Sequence, residues 1–379
     1  MPETDALARR LHARLHALDR DGLSRTLRAP SGIDLSSNDY LGLAQHPRLK
    51  QRMAEAVLEH GCGSTGSRLL RGERAAFQRV EQRFAAFKGT ERALYFSSGY
   101  LANIAVLSTF AESGDVIYSD QFNHASLIDS ARLSRARRVV YPHNDLGALE
   151  RLLRENRPEG QAFVVTESLF SMLGDLAPLR ELASLCRSTG ASLIVDEAHA
   201  VGIYGSRGSG MIESAEVDGD VFVSINTAGK ALGVGGAFVA GSALAMETLV
   251  QRARPFIFST APPPAMAAAL DASLDLIEQE PDRRATLLRL AACLRSRLAI
   301  PGTSQIIPVL LGSNERAVQV AEDLQEAGFD VRAIRPPSVP HGAAQLRISI
   351  NVNLTEDALD RFARALSEAL QESSCAASS

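Results

Sequence analysis

The run Val221-Phe222-Val223-Ser224-Ile225-Asn226-Thr227-Ala228-Gly229-Lys230-Ala231 decides the fold. A short apolar stretch ends in small and polar residues, and a lysine follows at once. Thirty-four residues before that lysine, a second run of similar design, Leu193-Ile194-Val195-Asp196-Glu197-Ala198-His199, ends in an acid and an imidazole. Neither apolar stretch alternates with polar residues, as expected of strands covered on both faces. Working outward, there are seven such strand candidates, at 93–97, 116–119, 138–141, 162–167, 192–196, 221–226 and 237–240. Amphipathic stretches lie between them. Ahead of the first, Phe77, Val80, Phe84 and Phe87 share one helical face, and Gly89 is its stop. This succession predicts an α/β fold with a seven-stranded, mainly parallel, doubly wound sheet. In such sheets the ligand site lies at the carboxyl ends of the strands. Ser98, His124, Ser171, Asp196, His199 and Thr227 all fall at or just past strand ends and would converge there.

The flanks read differently. Residues 5–20 are expected to be helical, and Ile33-Asp34-Leu35-Ser36-Ser37-Asn38-Asp39-Tyr40-Leu41-Gly42 reads as a short strand running into a loop. After about residue 276 the pattern changes. Helical stretches at 263–280 and 284–298 lead into a strand at 305–311, a helix at 316–327, strands at 331–334 and 345–350, and a helix at 355–371. The expected organisation is an N-terminal segment (1–42), a large α/β domain (43–276) and a small α+β domain (277–379). The tail 372–379, rich in serine and alanine, is expected to be disordered.

Composition excludes several classes. Apolar content is 45% and charged content 22%, ordinary for a soluble globular protein. A net charge of -4 gives no electrostatic footprint for nucleic acid or an anionic membrane. No apolar run reaches transmembrane length, and the N-terminus lacks a signal-peptide core, so a cytoplasmic protein is expected. Cys62, Cys186, Cys293 and Cys375 lie far apart without metal-ligand spacing, which predicts reduced thiols and no metal site.

A lone lysine is usually solvated, a lone strand-end acid is as often a helix cap, and a lone histidine is more often structural. Together Lys230, Asp196 and His199 suit pyridoxal phosphate (PLP). The lysine can form a Schiff base, the acid can hold the pyridinium nitrogen charged, and the imidazole can reach the phenolic oxygen. That points to carbanion chemistry on an amino acid. Ser97-Ser98-Gly99-Tyr100 follows a strand and opens a helix, a junction suited to a phosphate. His124, in Asn123-His124-Ala125-Ser126, could stack on the cofactor. No Walker sequence or dinucleotide fingerprint is present, and the glycines of Gly233-Val234-Gly235-Gly236 lack the strand–turn–helix setting. Arg347 interrupts the apolar run Leu346-Arg347-Ile348-Ser349-Ile350, either to grip a substrate carboxylate or to make a structural ion pair.

These residues, with Ser36-Ser37-Asn38-Asp39-Tyr40-Leu41-Gly42-Leu43, Gly63-Ser64-Thr65-Gly66-Ser67-Arg68-Leu69 and Thr166-Glu167-Ser168-Leu169-Phe170-Ser171-Met172, form an ordered set that resembles the PLP-dependent α-oxoamine synthases. That family lies within the fold type I, aminotransferase-like superfamily, and the resemblance runs from about residue 5 to 371. It implies that Lys230 carries the cofactor and removes the α-proton. It implies that Asp196 holds the ring nitrogen, His199 and Ser171 the phenolic oxygen, and that His124 stacks on the ring. Ser98, the Gly99 and Tyr100 amides and Thr227 would bind the phosphate. Thr260 would reach the phosphate of a neighbouring subunit, so a homodimer with shared sites is implied. Arg347 would hold the amino-acid carboxylate, with Asn38, Ser338 and Arg25 also substrate-binding. Gly66-Ser67-Arg68-Leu69 and Ala333-Ile334-Arg335-Pro336-Pro337-Ser338-Val339-Pro340 are most like the branch serving biotin biosynthesis. That branch condenses L-alanine with a pimeloyl thioester, on CoA or acyl-carrier protein, and releases CO2 and thiol. The alternatives are a sibling synthase using glycine or serine with another acyl thioester, an aminotransferase, or a noncatalytic partner subunit. Leu173 stands where the family commonly has Asp, and Ala228 replaces a usually larger residue.

Overall fold

The strands form where the apolar runs fall. In chain order they are β1 (Ile33–Asp34), β2 (Arg92–Phe96), β3 (Val116–Asp120), β4 (Arg137–Tyr141), β5 (Ala162–Glu167), β6 (Ser192–Asp196), β7 (Val221–Thr227), β8 (Ala237–Gly241), β9 (Ile306–Gly312), β10 (Phe329–Asp330), β11 (Ala333–Ile334) and β12 (Ala344–Ser349). The computed structural model describes residues 6–156 and 158–376. They form two units: one of Asn38–Ser171 and Asp175–Leu287, the other of the chain up to Ser37, Met172–Gly174 and Leu288 onward.

The larger unit is built on a seven-stranded sheet in the order β2-β8-β7-β6-β5-β3-β4. Strands β3 to β7 pair in parallel, and β8 runs antiparallel to both β7 and β2. Every residue of β3, β5 and β8 is buried. The period-2 geometry of a strand sends alternate side chains to opposite faces. Ile117, Val165, Ile194 and Val239 therefore enter one apolar cluster, and Tyr118, Val164, Leu193 and Val195 enter the other. Both faces need apolar residues, which is why the runs show no alternation. Each such side chain stabilises the fold by about 1.5–3 kcal/mol on full burial. The register aligns Glu167 of β5 with Asp196 of β6, and Asp196 with Ile225 of β7, so β5 and β6 end level at the carboxyl edge and β7 runs on to Thr227.

The smaller unit has an antiparallel sheet in the order β11-β12-β9 and a parallel pair β1-β10. The strand expected at 331–334 is present only at Ala333–Ile334, and a separate short strand, Phe329–Asp330, precedes it. Phe329 and Asp330 pair with β1, while Ala333 and Ile334 pair with β12. A tight turn in which the Val331 amide donates to the Phe329 carbonyl (3.0 Å) separates them. The last helix, Glu356–Ala376, also outruns expectation. Phe362, Leu366 and Ala369 bury one face of it, and Arg316 donates to Ser373 Oγ (3.3 Å), so residues 372–376 continue the helix. Residues 377–379 lie outside the described residues. Among the described residues no helix is long and apolar enough to cross a membrane.

Candidate active site

Asp196 closes β6 and is nearly buried, at 5% exposure. Its Oδ2 accepts from Asn103 Nδ2 (2.8 Å) and its Oδ1 from the Ala198 amide (2.9 Å). Asn103 comes from the helix Gly99–Phe110, and the same Nδ2 donates to Ser126 Oγ (2.8 Å). Ser126 in turn addresses His124 Nδ1 with its hydroxyl (2.7 Å) and its amide (3.2 Å). A ring nitrogen that accepts from an amide carries no proton, so Nδ1 is the acceptor and the proton of neutral His124 sits on Nε2. Desolvation lowers the His124 pKa; Asp196 opposes this and Lys230 adds to it. The ring is therefore neutral near pH 7 although its surface is exposed. Glu167, beside Asp196 in the register, is driven the other way. Burial and then Asp196 raise its pKa, against Lys230 and the Ser171 amide, which donates to Glu167 Oε2 (3.1 Å).

Lys230 lies in the loop between β7 and β8. That loop is closed by hydrogen bonds from the Ala228 amide to the Gly236 carbonyl (2.9 Å), Val234 to Ala228 (3.1 Å) and Gly233 to Lys230 (2.8 Å). Gly236 has φ +80°, and a Cβ there would stand 2.4 Å from Tyr95 Oη. The glycine run thus serves a tight lysine loop against a tyrosine. Lys230 Nζ is 2.8 Å from His199 Nε2, and His199 Nδ1 is 2.6 Å from Tyr40 Oη. Tyr40 donates to Asn38 Oδ1 (2.9 Å). One assignment of protons satisfies the whole chain. Tyr40 spends its hydrogen on Asn38 and accepts from His199 Nδ1–H, leaving His199 Nε2 to accept from the lysine.

The chain has three lysines. Lys50 is exposed on the helix Pro47–His60. Lys88 is buried and committed to the Glu197 carboxylate and the Ser209 carbonyl (2.6 Å). Glu197 also accepts from the Ile212 amide (3.0 Å). The adjacent acids of Asp196-Glu197 therefore diverge: one serves the strand-end site and the other a buried ion pair.

Ser98 caps the helix Gly99–Phe110, its Oγ accepting from the Leu101 amide (3.2 Å). The first-turn amides of a helix lack intrahelical partners and attract anions. A Cβ on Gly99 would lie 2.7 Å from Thr227 Oγ1, so the hydroxyl ending β7 stands directly against this helix start. The Tyr100 side chain is exposed and donates to Asp129 (2.6 Å).

These features fit PLP. Gly99 and Thr227 make an anion cradle that a side chain would fill. Asp196 could accept from a ring N–H, and Lys230 Nζ, beside His199, could supply the amine. Glu167 Oε1 and Asn103 Oδ1 are buried without a hydrogen-bond partner, as in a polar site that a bound group completes.

The larger unit thus links Lys230, His199, Asp196 and His124, and places Ser98, Gly99, Tyr100 and Thr227 at one helix start. Ser171 is buried beside Glu167, and Asn38 ends the tyrosine chain. Thr260 is exposed next to Ala261, whose amide donates to the Gly66 carbonyl (2.9 Å). Arg25, Ser338 and Arg347 belong to the smaller unit. There Arg25 donates to the Pro336 carbonyl (3.0 Å), two residues from the exposed Ser338. Arg347 is buried on β12 and donates to Ser349 Oγ (2.8 Å). From the sequence alone, Asn103, Ser126, Tyr40 and Glu167 have no assigned role. Asn103 did leave a signal, as the one polar side chain in Leu101-Ala102-Asn103-Ile104-Ala105-Val106-Leu107.

The model of the aminotransferase class I and II family matches residues 30–366. The chain belongs to that family and, within it, to the PLP-dependent α-oxoamine synthases. It is 45% identical to a curated 8-amino-7-oxononanoate synthase of Geobacter sulfurreducens, over 95% of this chain and 97% of the relative. It is equally identical to one of Anaeromyxobacter dehalogenans, over 95% of each. Among solved structures it is similar to the 8-amino-7-oxononanoate synthase of Francisella tularensis, with TM-score 0.79 and 30% identity, over 90% of this chain and 98% of that one. It is also similar to the serine palmitoyltransferase of Sphingomonas wittichii, with TM-score 0.90 and 31% identity, over 98% of this chain and 100% of that one.

Proposed function

We propose that this chain condenses L-alanine with a pimeloyl thioester, on CoA or acyl-carrier protein, to give 8-amino-7-oxononanoate, CO2 and free thiol. The observation that carries the reading is the Lys230–His199–Tyr40 chain in the unit that also holds Asp196 through Asn103. Identity of 45% to 8-amino-7-oxononanoate synthases, against 31% to a serine palmitoyltransferase, favours alanine and a pimeloyl donor over serine and a long acyl chain.

PLP, when bound, withdraws electrons from the substrate α-carbon. The residues do the rest. Lys230 Nζ, 2.8 Å from His199 Nε2 in the cofactor-free chain, would hold the cofactor until the substrate amine displaces it, and the freed amine would then take the α-proton. Asp196 would keep a proton on the ring nitrogen, and Ser171 would bind the phenolic oxygen together with His199, whose Nε2 must then carry a proton instead of accepting from the free lysine. His124, neutral and fixed by Ser126, would stack on the ring and orient the substrate. Ser98, Gly99, Tyr100 and Thr227 bind the phosphate. On the family resemblance, Arg347 takes the amino-acid carboxylate, and Asn38, Arg25 and Ser338 contact substrate. The enzyme works in the cytoplasm as a homodimer in which Thr260 reaches the partner's phosphate. Leu70 at 84% exposure and Phe258 at 70%, large apolar side chains in the segments around Gly66 and Thr260, support a covered face there.

The test offers alanine, glycine and serine to the purified chain with pimeloyl-CoA, pimeloyl-acyl-carrier protein and palmitoyl-CoA. CO2 and free thiol should appear together, with alanine and a pimeloyl donor. Preference for serine with palmitoyl-CoA, or amino-group transfer without thiol release, would overturn the reading.

A further inference from the structure

We propose that His143 is a positioning residue whose imidazolium ties the loop carrying His124 to the turn carrying Ser171. The inference rests on the proposed function for its catalytic meaning, although the tie itself is a matter of geometry. His143 Nδ1 is 2.8 Å from Asp120 Oδ1, and Nε2 is 2.6 Å from Asp175 Oδ2. Asp120 is the last residue of β3, four before His124. Its carboxylate also accepts the amides of Phe122 (2.8 Å) and Asn144 (2.9 Å), which shapes the loop leading to His124. Asn123 fastens the same loop to β5, donating to the Val165 carbonyl (2.8 Å) and accepting from the Glu167 amide (3.2 Å). On the other side, the Asp175 carbonyl accepts the Phe170 amide (2.9 Å), closing the turn in which Ser171 lies.

Only the imidazolium donates from both nitrogens; a neutral ring donates from one and must release a carboxylate. The charged groups facing His143 are Asp120 and Asp175. Phe170 meets the ring edge-on at 4.4 Å, Phe122 lies at 4.7 Å, and Asn144 Nδ2 donates to Asp175 Oδ2 (3.1 Å). Tyr141, two residues back on β4, is buried, and burial with Asp120 keeps its phenol un-ionised. Burial opposes the charge on His143, but the hydrogen bonds to Asp120 and Asp175 outweigh it and raise the pKa to about 9. A raised imidazole pKa means that the double tie is complete at neutral pH and is lost as pH rises through about 9.

The experiment compares wild type, His143→Gln and Asp175→Asn as full-length chains with PLP present. Amide exchange, corrected for intrinsic rate, is followed in peptides covering 121–124 and 170–175, and kcat/KM for alanine is followed from pH 7 to 10. Wild type should lose protection in both peptides together near pH 9, and His143→Gln should lack it at every pH. Asp175→Asn should lose it at lower pH, because one carboxylate no longer supports the charge. Misplacing groups that orient a substrate costs about tenfold to a hundredfold. The wild-type advantage over His143→Gln should be of that size at pH 7.5 and shrink toward unity above pH 9. Independent exchange of the two peptides, or a rate ratio constant across pH, would overturn the proposal. If exchange behaves as expected but wild type condenses no alanine, the functional reading falls and the tie stands.

Discussion

Asn103→Leu removes the side-chain support of the Asp196 carboxylate. Leucine keeps the branched shape, so no cavity opens, but both donations from Nδ2 disappear. Asp196 would keep the Ala198 amide on Oδ1 and lose its one side-chain donor on Oδ2. A hydrogen bond to a charged group contributes about 1.5–3 kcal/mol. If that support is needed to hold the carboxylate against a ring N–H, PLP affinity should fall by about 10- to 150-fold, since 1.4 kcal/mol is tenfold. Ser126 loses the same donor, so His124 is loosened and kcat should fall beyond what occupancy explains. The assay is an absorbance titration of cofactor-free protein with PLP, then turnover at saturating cofactor, with the thermal midpoint as a control for folding. PLP affinity within twofold of wild type, in a folded variant, would refute the claim that Asn103 positions Asp196.

Lys230→Ala should lower turnover by at least about 10²-fold, the smaller end of what a positioned proton carrier contributes, while the protein still binds PLP noncovalently; steady-state assay and dialysis check both parts. Gly99→Ala places a methyl 2.7 Å from Thr227 Oγ1. Overpacking costs about 1–3 kcal/mol, so the thermal midpoint of the cofactor-free chain should fall, and displacement of the Thr227 hydroxyl should weaken PLP binding as well; a thermal melt and a PLP titration check the two parts. Lys88→Met strands buried Glu197 and should cost about 3–5 kcal/mol in urea unfolding; a loss under about 1 kcal/mol would show that the pair is not structural.

Much of the fold was legible because each covered strand announces itself as an unbroken apolar run. β3, β5 and β6 are such cases, since their alternate residues feed separate cores. Strand direction left no such trace. Nothing in Ala237–Gly241 marks β8 as the antiparallel strand, because burial on both faces is the same in either direction. The shortening of 331–334 to Ala333–Ile334 and the separate strand Phe329–Asp330 were hidden for a related reason, as two-residue strands carry no period. In the site, the residues that end strands were readable from position. Tyr40 was not, because its bond to His199 spans 159 residues and depends on how a loop returns to the sheet. Asn103 could have been read as a buried amide in search of an acid, but the pattern alone does not say which acid.

On the proposed function a single amine, that of Lys230, holds the cofactor aldehyde. Borohydride reduction of the protein with PLP, followed by peptide mass mapping, tests it directly. A single phosphopyridoxyl group is expected on the peptide containing Lys230. A protein that takes up none, or that carries it on Lys50 or Lys88, would overturn the assignment of Lys230.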